Sequence, residues 1–290
     1  MLSRFLRCAN LVFICSVTQT ANAQVVAEDT KLGSTPGLHI KAEKDYMKFE
    51  LQTEPVEKDI ITLSAEYTFD RWLLLGIKNT TGSVVFRGTE SVASGNTTIF
   101  GKALLWRGSR RGGLDEVSFS VENNLTSPDS PVATVWGLVS LGSLEEQQLW
   151  IGSAKGSTRI SLTLYSADGP LSTLLGVHVQ LNGSKNNLKL GDTTSVDFGI
   201  NRYLLPYGTS KWQIIGGLEM HLDLRESSSQ YGFDIAETGG GGIMLSSTLR
   251  VVPWSNTTIF TAITLPLADS YRTKELVVKQ NVKIGLSVSF

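Results

Sequence analysis

The chain has 290 residues, 41% of them hydrophobic, and its 26 basic and 27 acidic residues leave a formal net charge of −1. Without a basic excess, nucleic acid is not the expected partner. No run of 18 or more apolar residues follows the amino-terminal segment, which excludes transmembrane helices and leaves an all-β protein as the expected class.

Residues 1–23 are predicted to be a secretory signal peptide. Arg4 and Arg7 form a short basic region, residues 11–17 form an apolar core, and residues 21–23 form an A-x-A cleavage site. An amino-terminal membrane anchor would need a longer apolar run. Both cysteines lie in this segment, so we expect no disulfide and no thiolate metal site after cleavage. We therefore expect export through the Sec pathway.

The predicted elements after the signal peptide are strands. Residues 24–40, with little periodicity, are predicted to be a flexible periplasmic leader. The period-two segments that follow are 61–69, 72–78, 99–106, 117–121, 132–141, 160–165, 175–181, 196–200, 211–225, 243–251, 259–267 and 281–290. Residues 38–52 and 147–152 are two weaker candidates. We therefore expect about 12 strands, or 14 on the maximal interpretation, within a domain spanning residues 41–290.

The segment 211–225 shows the alternation most clearly. Its apolar set includes Ile214, Leu218, Met220 and Leu222. The alternate positions carry the ionisable residues Glu219, His221, Asp223 and Arg225. A strand with one apolar face and one ionisable face is typical of a wall between lipid and a water-filled lumen. The pattern therefore predicts a transmembrane antiparallel up-and-down β-barrel. Further candidate lumen-lining residues from other strands are His178, Gln180 and Lys283.

The connections between predicted strands differ in length. Those at 167–170, 206–210 and 253–256 are short, whereas those at 183–192, 226–240 and 267–277 are long. Short periplasmic turns and long outer loops are typical of transmembrane barrels. In the first half of the chain, residues 80–94 are predicted to be another long connection. Tryptophans at predicted strand ends, Trp72, Trp106, Trp212 and Trp254, fit interfacial girdles.

The last ten residues alternate and end on an aromatic residue. Ile284, Leu286, Val288 and Phe290 are apolar, and small or polar residues separate them. This ending resembles the closing strand of bacterial outer-membrane β-barrels, in which it serves as the signal for the barrel-assembly machinery. The resemblance predicts the bacterial outer membrane as the location.

Several short motifs extend this resemblance. Residues 241–244, Val252-Pro253-Trp254, residues 263–267 and the closing strand are similar to the carboxyl half of the MetA-pathway of phenol degradation family of outer-membrane proteins. The unit at 67–76 is similar to that family's strand, tight turn and strand, whereas residues 125–129 match only loosely. The resemblance implies a channel for small, hydrophobic or aromatic compounds, with no catalytic residues to carry over.

Three groups of residues could carry chemistry of their own. Glu219, His221 and Asp223 share one face and could suggest a metal or acid/base site, but a solvated wall explains them more simply. A serine activated by His178 or His221 would be needed by a lipid hydrolase, and no spacing singles out such a pair. We therefore expect no catalytic, cofactor-binding or metal-binding residues. Arg107, Arg110 and Arg111 form a basic turn, which we interpret as a soluble turn, with contact to anionic headgroups or lipopolysaccharide as the alternative.

The sequence thus predicts a porin-like passive pore or transporter for small compounds. The alternatives are a non-conducting structural or adhesive barrel, a barrel lipid hydrolase, and a soluble secreted sandwich. The expected partners are outer-membrane lipid and lipopolysaccharide, the barrel-assembly machinery and a small-molecule solute.

Overall fold

The computed structural model describes residues 10–13, 26–29, 36–70, 72–110, 113–128, 143–205, 212–254 and 256–290. The predicted signal peptide and leader therefore lie largely outside the described residues, as does the predicted strand 132–141. Among the described residues, no helix is long and apolar enough to cross a membrane. A short ladder pairs Asn10–Phe13 with Val26–Asp29, apart from the main sheet.

Twelve strands of the described chain close into one antiparallel barrel in which each strand pairs with the next. They are β1 Gly37–Leu51, β2 Glu54–Asp70, β3 Leu73–Phe86, β4 Thr89–Arg110, β5 Gly113–Asn124, β6 Thr158–Asp168, β7 Leu171–Leu181, β8 Thr193–Tyr203, β9 Gln213–Arg225, β10 Gly240–Trp254, β11 Thr257–Asp269 and β12 Leu276–Ser289. Strand β12 pairs with β1, and the backbone N–H of Phe290 donates to the Leu38 carbonyl at 2.9 Å. The predicted all-β up-and-down barrel is confirmed.

The alternation that predicts these strands also sets which side chains face outwards. On β9, Leu218 is 57% exposed, whereas its neighbour Glu219 is 4% exposed and lies inside the barrel. The same pattern exposes Ile284 and Leu286 on β12 and buries Lys283 inside the barrel. Because successive side chains of a strand point to opposite faces, an apolar outer surface and a polar interior follow from one period-two pattern.

The two ends of the barrel are built differently. The terminal end, which carries Gly37 and Phe290, has two-residue connections at 71–72, 111–112, 169–170 and 255–256 and a nine-residue connection at 204–212. The loop end has two tight turns, at Gln52 and Thr53 and at Arg87 and Gly88, whose positive φ angles suit two-residue hairpins. Three of its other connections are longer, at 125–157, 182–192 and 226–239, and the fourth, at 270–275, has six residues. This contrast matches the predicted difference in connection lengths.

Three segments differ from the favoured prediction. Residues 38–52, one of the two weaker candidates, form strand β1. Residues 80–94, predicted to be a long connection, form the tip of the β3–β4 hairpin. In β1 both faces are polar over much of the strand, with Lys41 and Glu43 inside and Lys44 and Lys48 outside. No apolar alternation therefore marks it. Residues 147–152 are not a strand, because they lie in and just after a short helix, α1 Leu144–Leu149.

The barrel wall is uneven in height. Strands β1 to β4 have 14 to 22 residues, whereas β6, β7 and β8 have 11 each. On the tall side, charged pairs replace outward apolar residues toward the loop end, with Lys44 2.9 Å from Asp59 and Lys48 3.7 Å from Glu57. About six residues of β2 extend beyond the apolar band toward the loop end, and in a tilted strand six residues rise by roughly 15 Å.

Candidate functional site

The interior of the barrel is the candidate site, and the predicted lumen residues lie in it. They are Glu219, His221, Asp223, Arg225, His178, Gln180 and Lys283, all on the inner face of the wall and none more than 9% exposed where an exposure is given. Their predicted lipid-facing neighbours point outwards. The structure therefore brings the seven residues to one inner surface, while their role in selecting solutes stays a prediction.

A segment of the loop between β5 and β6 enters the barrel at the loop end. We call residues 143–157 the plug segment. It begins with helix α1 and continues through Leu149, Trp150, Ile151 and Ala154, each of which is 2% exposed or less. A loop of a soluble domain would run over the surface, so burial this complete places the segment inside the lumen.

Apolar side chains of the inner wall surround the plug segment. We call this set the collar: Met47, Phe49, Leu51, Val56, Ile60, Val84, Phe86, Ala93, Met244, Leu276 and Val278, which form one cluster with Leu149 and Ile151. The collar residues come mainly from the tall strands near the loop end. Burial of apolar surface between the collar and the plug segment stabilises the closed arrangement, by about 1.5–3 kcal/mol for each fully buried side chain.

Hydrogen bonds fix the plug segment to the wall at two points. The Lys58 ammonium donates to the backbone carbonyls of Gln148 at 2.7 Å and Trp150 at 3.0 Å. It therefore satisfies carbonyls at the end of α1 that have no partner within the helix. On the other side, the Asn96 amide donates to the Ser153 carbonyl at 2.6 Å and accepts from the Ser153 N–H at 2.7 Å.

Loops of the same end cover the plug segment from above. The Gln147 side chain donates to the Lys185 carbonyl at 3.0 Å, and that of Gln148 donates to the Lys274 carbonyl at 2.9 Å. The Lys185 ammonium lies 4.6 Å from the centre of the Trp150 ring. A four-stranded sheet of two-residue strands, Ser184–Lys185, Leu188–Lys189, Ser229–Gln230 and Phe233–Asp234, joins two of these loops.

The loop 270–275 is itself bound to the inner wall. The Arg225 guanidinium donates to Glu275 at 2.7 Å, and the Tyr271 hydroxyl donates to Asp223. Burial, together with the neighbouring Asp223 carboxylate, raises the pKa of Tyr271 well above its ordinary value, so the phenol keeps its proton. Two of the predicted lumen residues therefore hold a loop in place.

Below the plug segment lies a small cavity lined mainly by charged and polar side chains, which we call the lower chamber. Its lining residues are Lys41, Glu43, Thr62, Ser64, Glu66, Leu74, Lys78, Phe100, Lys102, Ser120 and Glu122. It contains two ion pairs, Lys41 with Glu43 at 2.5 Å along β1 and Lys78 with Glu122 at 2.7 Å between β3 and β5. These residues were not predicted to line the lumen, although Thr62, Ser64 and Glu66 alternate with apolar residues in the predicted strand 61–69.

The two histidines considered for catalysis share one carboxylate. His178 lies 2.8 Å from Asp197, and His221 contacts the other oxygen of the same carboxylate. Ser161, opposite His178 on the neighbouring strand, has a hydroxyl that makes no hydrogen bond. A lipid hydrolase would need an activated serine within reach of lipid, whereas these rings face the lumen. Among the described residues, no group of His, Cys, Asp and Glu is arranged to hold a metal ion.

The predicted basic turn lies at the terminal end of the barrel. Arg107 forms an ion pair with Glu116, at 2.7 Å from the guanidinium Nε. The side chain of Arg110 and the whole of Arg111 are outside the described residues. The turn follows β4 at the end of the barrel where β1 begins and β12 ends, which is the end opposite the long loops.

The plug segment, Lys58 and Asn96 were not predicted from the sequence. One local signal was available, because Ser143 is followed three residues later by Glu146, a spacing that favours the start of a helix. The backbone confirms that start, with the Gln147 N–H donating to the Ser143 carbonyl. No local signal indicates that this helix lies inside the barrel.

Comparisons with known proteins support the fold. No family model and no curated protein matches the sequence. Among solved structures, the COG4313 outer membrane channel from Pseudomonas putida F1 superposes with a TM-score of 0.66 at 6% identity, over 90% of this chain and 98% of that one. The NanC porin gives a TM-score of 0.50 at 6% identity, over 87% of this chain and 100% of the porin. The predicted resemblance to outer-membrane channels of the phenol-pathway family is thereby confirmed at the level of fold.

Proposed function

We propose that this chain is a channel of the bacterial outer membrane through which small solutes pass by diffusion. The observation that carries the proposal is the barrel interior, where a charged and polar lower chamber meets a collar filled by a segment of the chain's own loop. Charged groups inside a barrel are costly unless they are paired or hydrated. A hydrated path that the plug segment closes accounts for both features.

The apolar outer surface supports the membrane location. Four exposed tryptophans, Trp72, Trp106, Trp212 and Trp254, lie at the terminal end, each more than half exposed. Aromatic side chains concentrate where a barrel meets the membrane interface. With the short connections on the same side, this end is the periplasmic one, and the loop end faces outside. Lipopolysaccharide occupies the outer leaflet, so the basic turn at Arg107 is on the wrong side to bind it.

The solute class is inferred from the collar and from the family resemblance. A solute that crosses the loop end would pass through the space that the plug segment fills, where the wall is apolar. Small hydrophobic or aromatic compounds lose least on leaving water there. The collar therefore favours such compounds over highly charged ones.

A non-conducting barrel is the second candidate, because the plug segment and the loops above it close the loop end in this structure. Planar-bilayer recording separates the two. The refolded protein would be compared with a variant in which residues 144–154 are replaced by a flexible glycine and serine linker of equal length. A heat-dependent gel shift would show that each barrel is folded.

We expect brief openings for the unmodified protein and long openings of larger conductance for the linker variant. If both barrels are folded and neither conducts, the channel proposal is wrong and the structural role stands.

A further inference from the structure

A groove crosses the outer face of the wall at the terminal end of the barrel. It has a volume of about 300 Å³ and extends from β4 to β8. Its outward lining residues are Trp106, Asp115, Val117, Leu164, Ser166, Thr173, Leu175 and Phe198. A space of this size is at the lower limit of small-molecule pockets, so the groove has room for part of one lipid molecule.

Two rows of outward residues form the groove. One row is apolar, and its members pair in succession from β4 to β8: Trp106, Val117, Leu164, Leu175 and Phe198. The next row toward the terminal end is made of shorter residues: Gly108, Asp115, Ser166 and Thr173. Because these residues are short, a recess runs beside the larger apolar row.

An aromatic ring and a carboxylate lie together at one end of the groove. A β-carbon added at Gly108 would collide with the tip of the Trp106 ring, so the indole lies over Gly108. Gly108 pairs with Asp115 on β5, which places the ring one strand away from that carboxylate. An aromatic ring beside a carboxylate suits an ammonium group, because both attract a cation.

Hydroxyl groups follow the carboxylate on the neighbouring strands. Ser166 is opposite Asp115, and Thr173 is opposite Ser166, so the backbones that carry them are about 4.8 Å apart from strand to strand. Hydroxyls donate hydrogen bonds to acceptors such as phosphate oxygens. The short row therefore offers a cation site and, one strand further along the wall, donors for an anion.

We infer that this groove binds one phospholipid of the periplasmic leaflet whose headgroup carries a primary ammonium, of the phosphatidylethanolamine class. The ammonium group lies between Asp115 and the Trp106 ring, and the phosphate lies at Ser166 and Thr173. One acyl chain follows the apolar row to Phe198. Asp115 is near the end of β5 and Phe198 is further from the end of β8, so the chain runs from the membrane border into the membrane.

The inference depends on the membrane location and orientation proposed above and not on conduction. The experiment is native mass spectrometry of the refolded, detergent-solubilised protein, titrated with phosphatidylethanolamine or with phosphatidylglycerol of identical acyl chains. The second lipid keeps the phosphate and the chains and has hydroxyls in place of the ammonium. The variants are Asp115→Asn, Phe198→Ala and the control Asp168→Asn, which changes an exposed outward carboxylate at the same end, outside the groove.

We expect each barrel to retain one phosphatidylethanolamine, with an affinity at least about tenfold higher than for phosphatidylglycerol, the factor that corresponds to roughly 1.4 kcal/mol. Asp115→Asn should remove this preference by weakening phosphatidylethanolamine alone. Phe198→Ala should weaken both lipids, because it shortens the apolar row, and Asp168→Asn should change neither. The free headgroup glycerophosphoethanolamine should not compete at equal concentration, because it has no acyl chain.

Equal retention of the two lipids by a folded barrel would overturn the assignment. A preference that survives Asp115→Asn, or that Asp168→Asn removes equally, would overturn it as well, and so would equal competition by the free headgroup. Conductance is a separate readout. A barrel that shows the expected lipid preference without conducting would therefore refute the channel and support the lipid site.

Discussion

We expect the substitution Gly152→Ala, which adds one methyl group, to release the plug segment from the barrel wall. Gly152 has a φ of 118°, a conformation that residues with a β-carbon rarely adopt. A β-carbon there would lie 1.8 Å from the Asn96 side-chain oxygen, far inside contact distance. The substitution therefore has to displace Asn96 from its two hydrogen bonds with Ser153 or move the plug segment away from the wall.

The expected cost to the closed state follows from these contacts. Backbone strain of this kind costs about 1–3 kcal/mol, and each lost hydrogen bond costs about 0.5–1.5 kcal/mol. The total is about 2–6 kcal/mol, and movement of the plug segment out of the collar relieves it. Because about 1.4 kcal/mol is a factor of ten in an equilibrium constant, the ratio of open to closed channels should rise at least about thirtyfold.

Single-channel recording in planar bilayers measures that ratio directly. Gly156→Ala is the matched control, because Gly156 also has a positive φ, 81°, yet a β-carbon there would meet nothing within 4 Å. The control carries the strain without the collision, so its open fraction should rise much less. If Gly152→Ala gives a folded barrel whose open fraction equals that of Gly156→Ala, the contact between Gly152 and Asn96 does not hold the channel closed.

Three other substitutions test separate parts of the structure. Leu149→Ala removes a fully buried side chain of the plug segment that packs against the collar, at a cost of about 2–5 kcal/mol, so channel openings should lengthen while thermal unfolding of the barrel stays unchanged; a lower unfolding temperature with unaltered gating would contradict this. Combining Glu219→Gln with Asp223→Asn removes two inner carboxylates, and the reversal potential in a salt gradient should shift toward anion selectivity; an unshifted potential would place the ion path elsewhere. Phe290→Ser keeps the backbone bond to Leu38, so refolding in detergent should be normal while the yield assembled in cells falls, and equal yields would argue against an assembly signal.

The fold could be predicted wherever one face of a strand meets lipid. On β9, Leu218 and Met220 alternate with Glu219 and His221, and the alternation alone gives both the strand and the facing of its side chains. The prediction failed where the wall rises above the lipid. There β1 carries Lys44 and Lys48 outside, so polarity no longer distinguishes the two faces. The number of strands was right, while β1 was missing from the favoured set.

The candidate site could be predicted only as far as one strand determines it. The alternation of apolar and polar residues along each strand is enough to place His178, Lys283 and the charged residues of β9 on the inner wall. The plug segment depends instead on contacts between distant positions, since Lys58 and Asn96 are 92 and 57 residues away from their partners Trp150 and Ser153. No local pattern encodes contacts at such separations, and a six-residue helix leaves little periodicity to detect.

The uneven wall provides an exposed site at which the protein could be labelled on intact cells. The tall β3–β4 hairpin ends at Arg87 and Gly88, both exposed and joined in a two-residue turn, and the same hairpin carries Val92 with 76% exposure. Inserted residues at an exposed turn disturb few contacts. A short epitope placed between Arg87 and Gly88 would thus stand clear of the lipid, and antibodies reaching it on unbroken cells would report which way round the barrel sits.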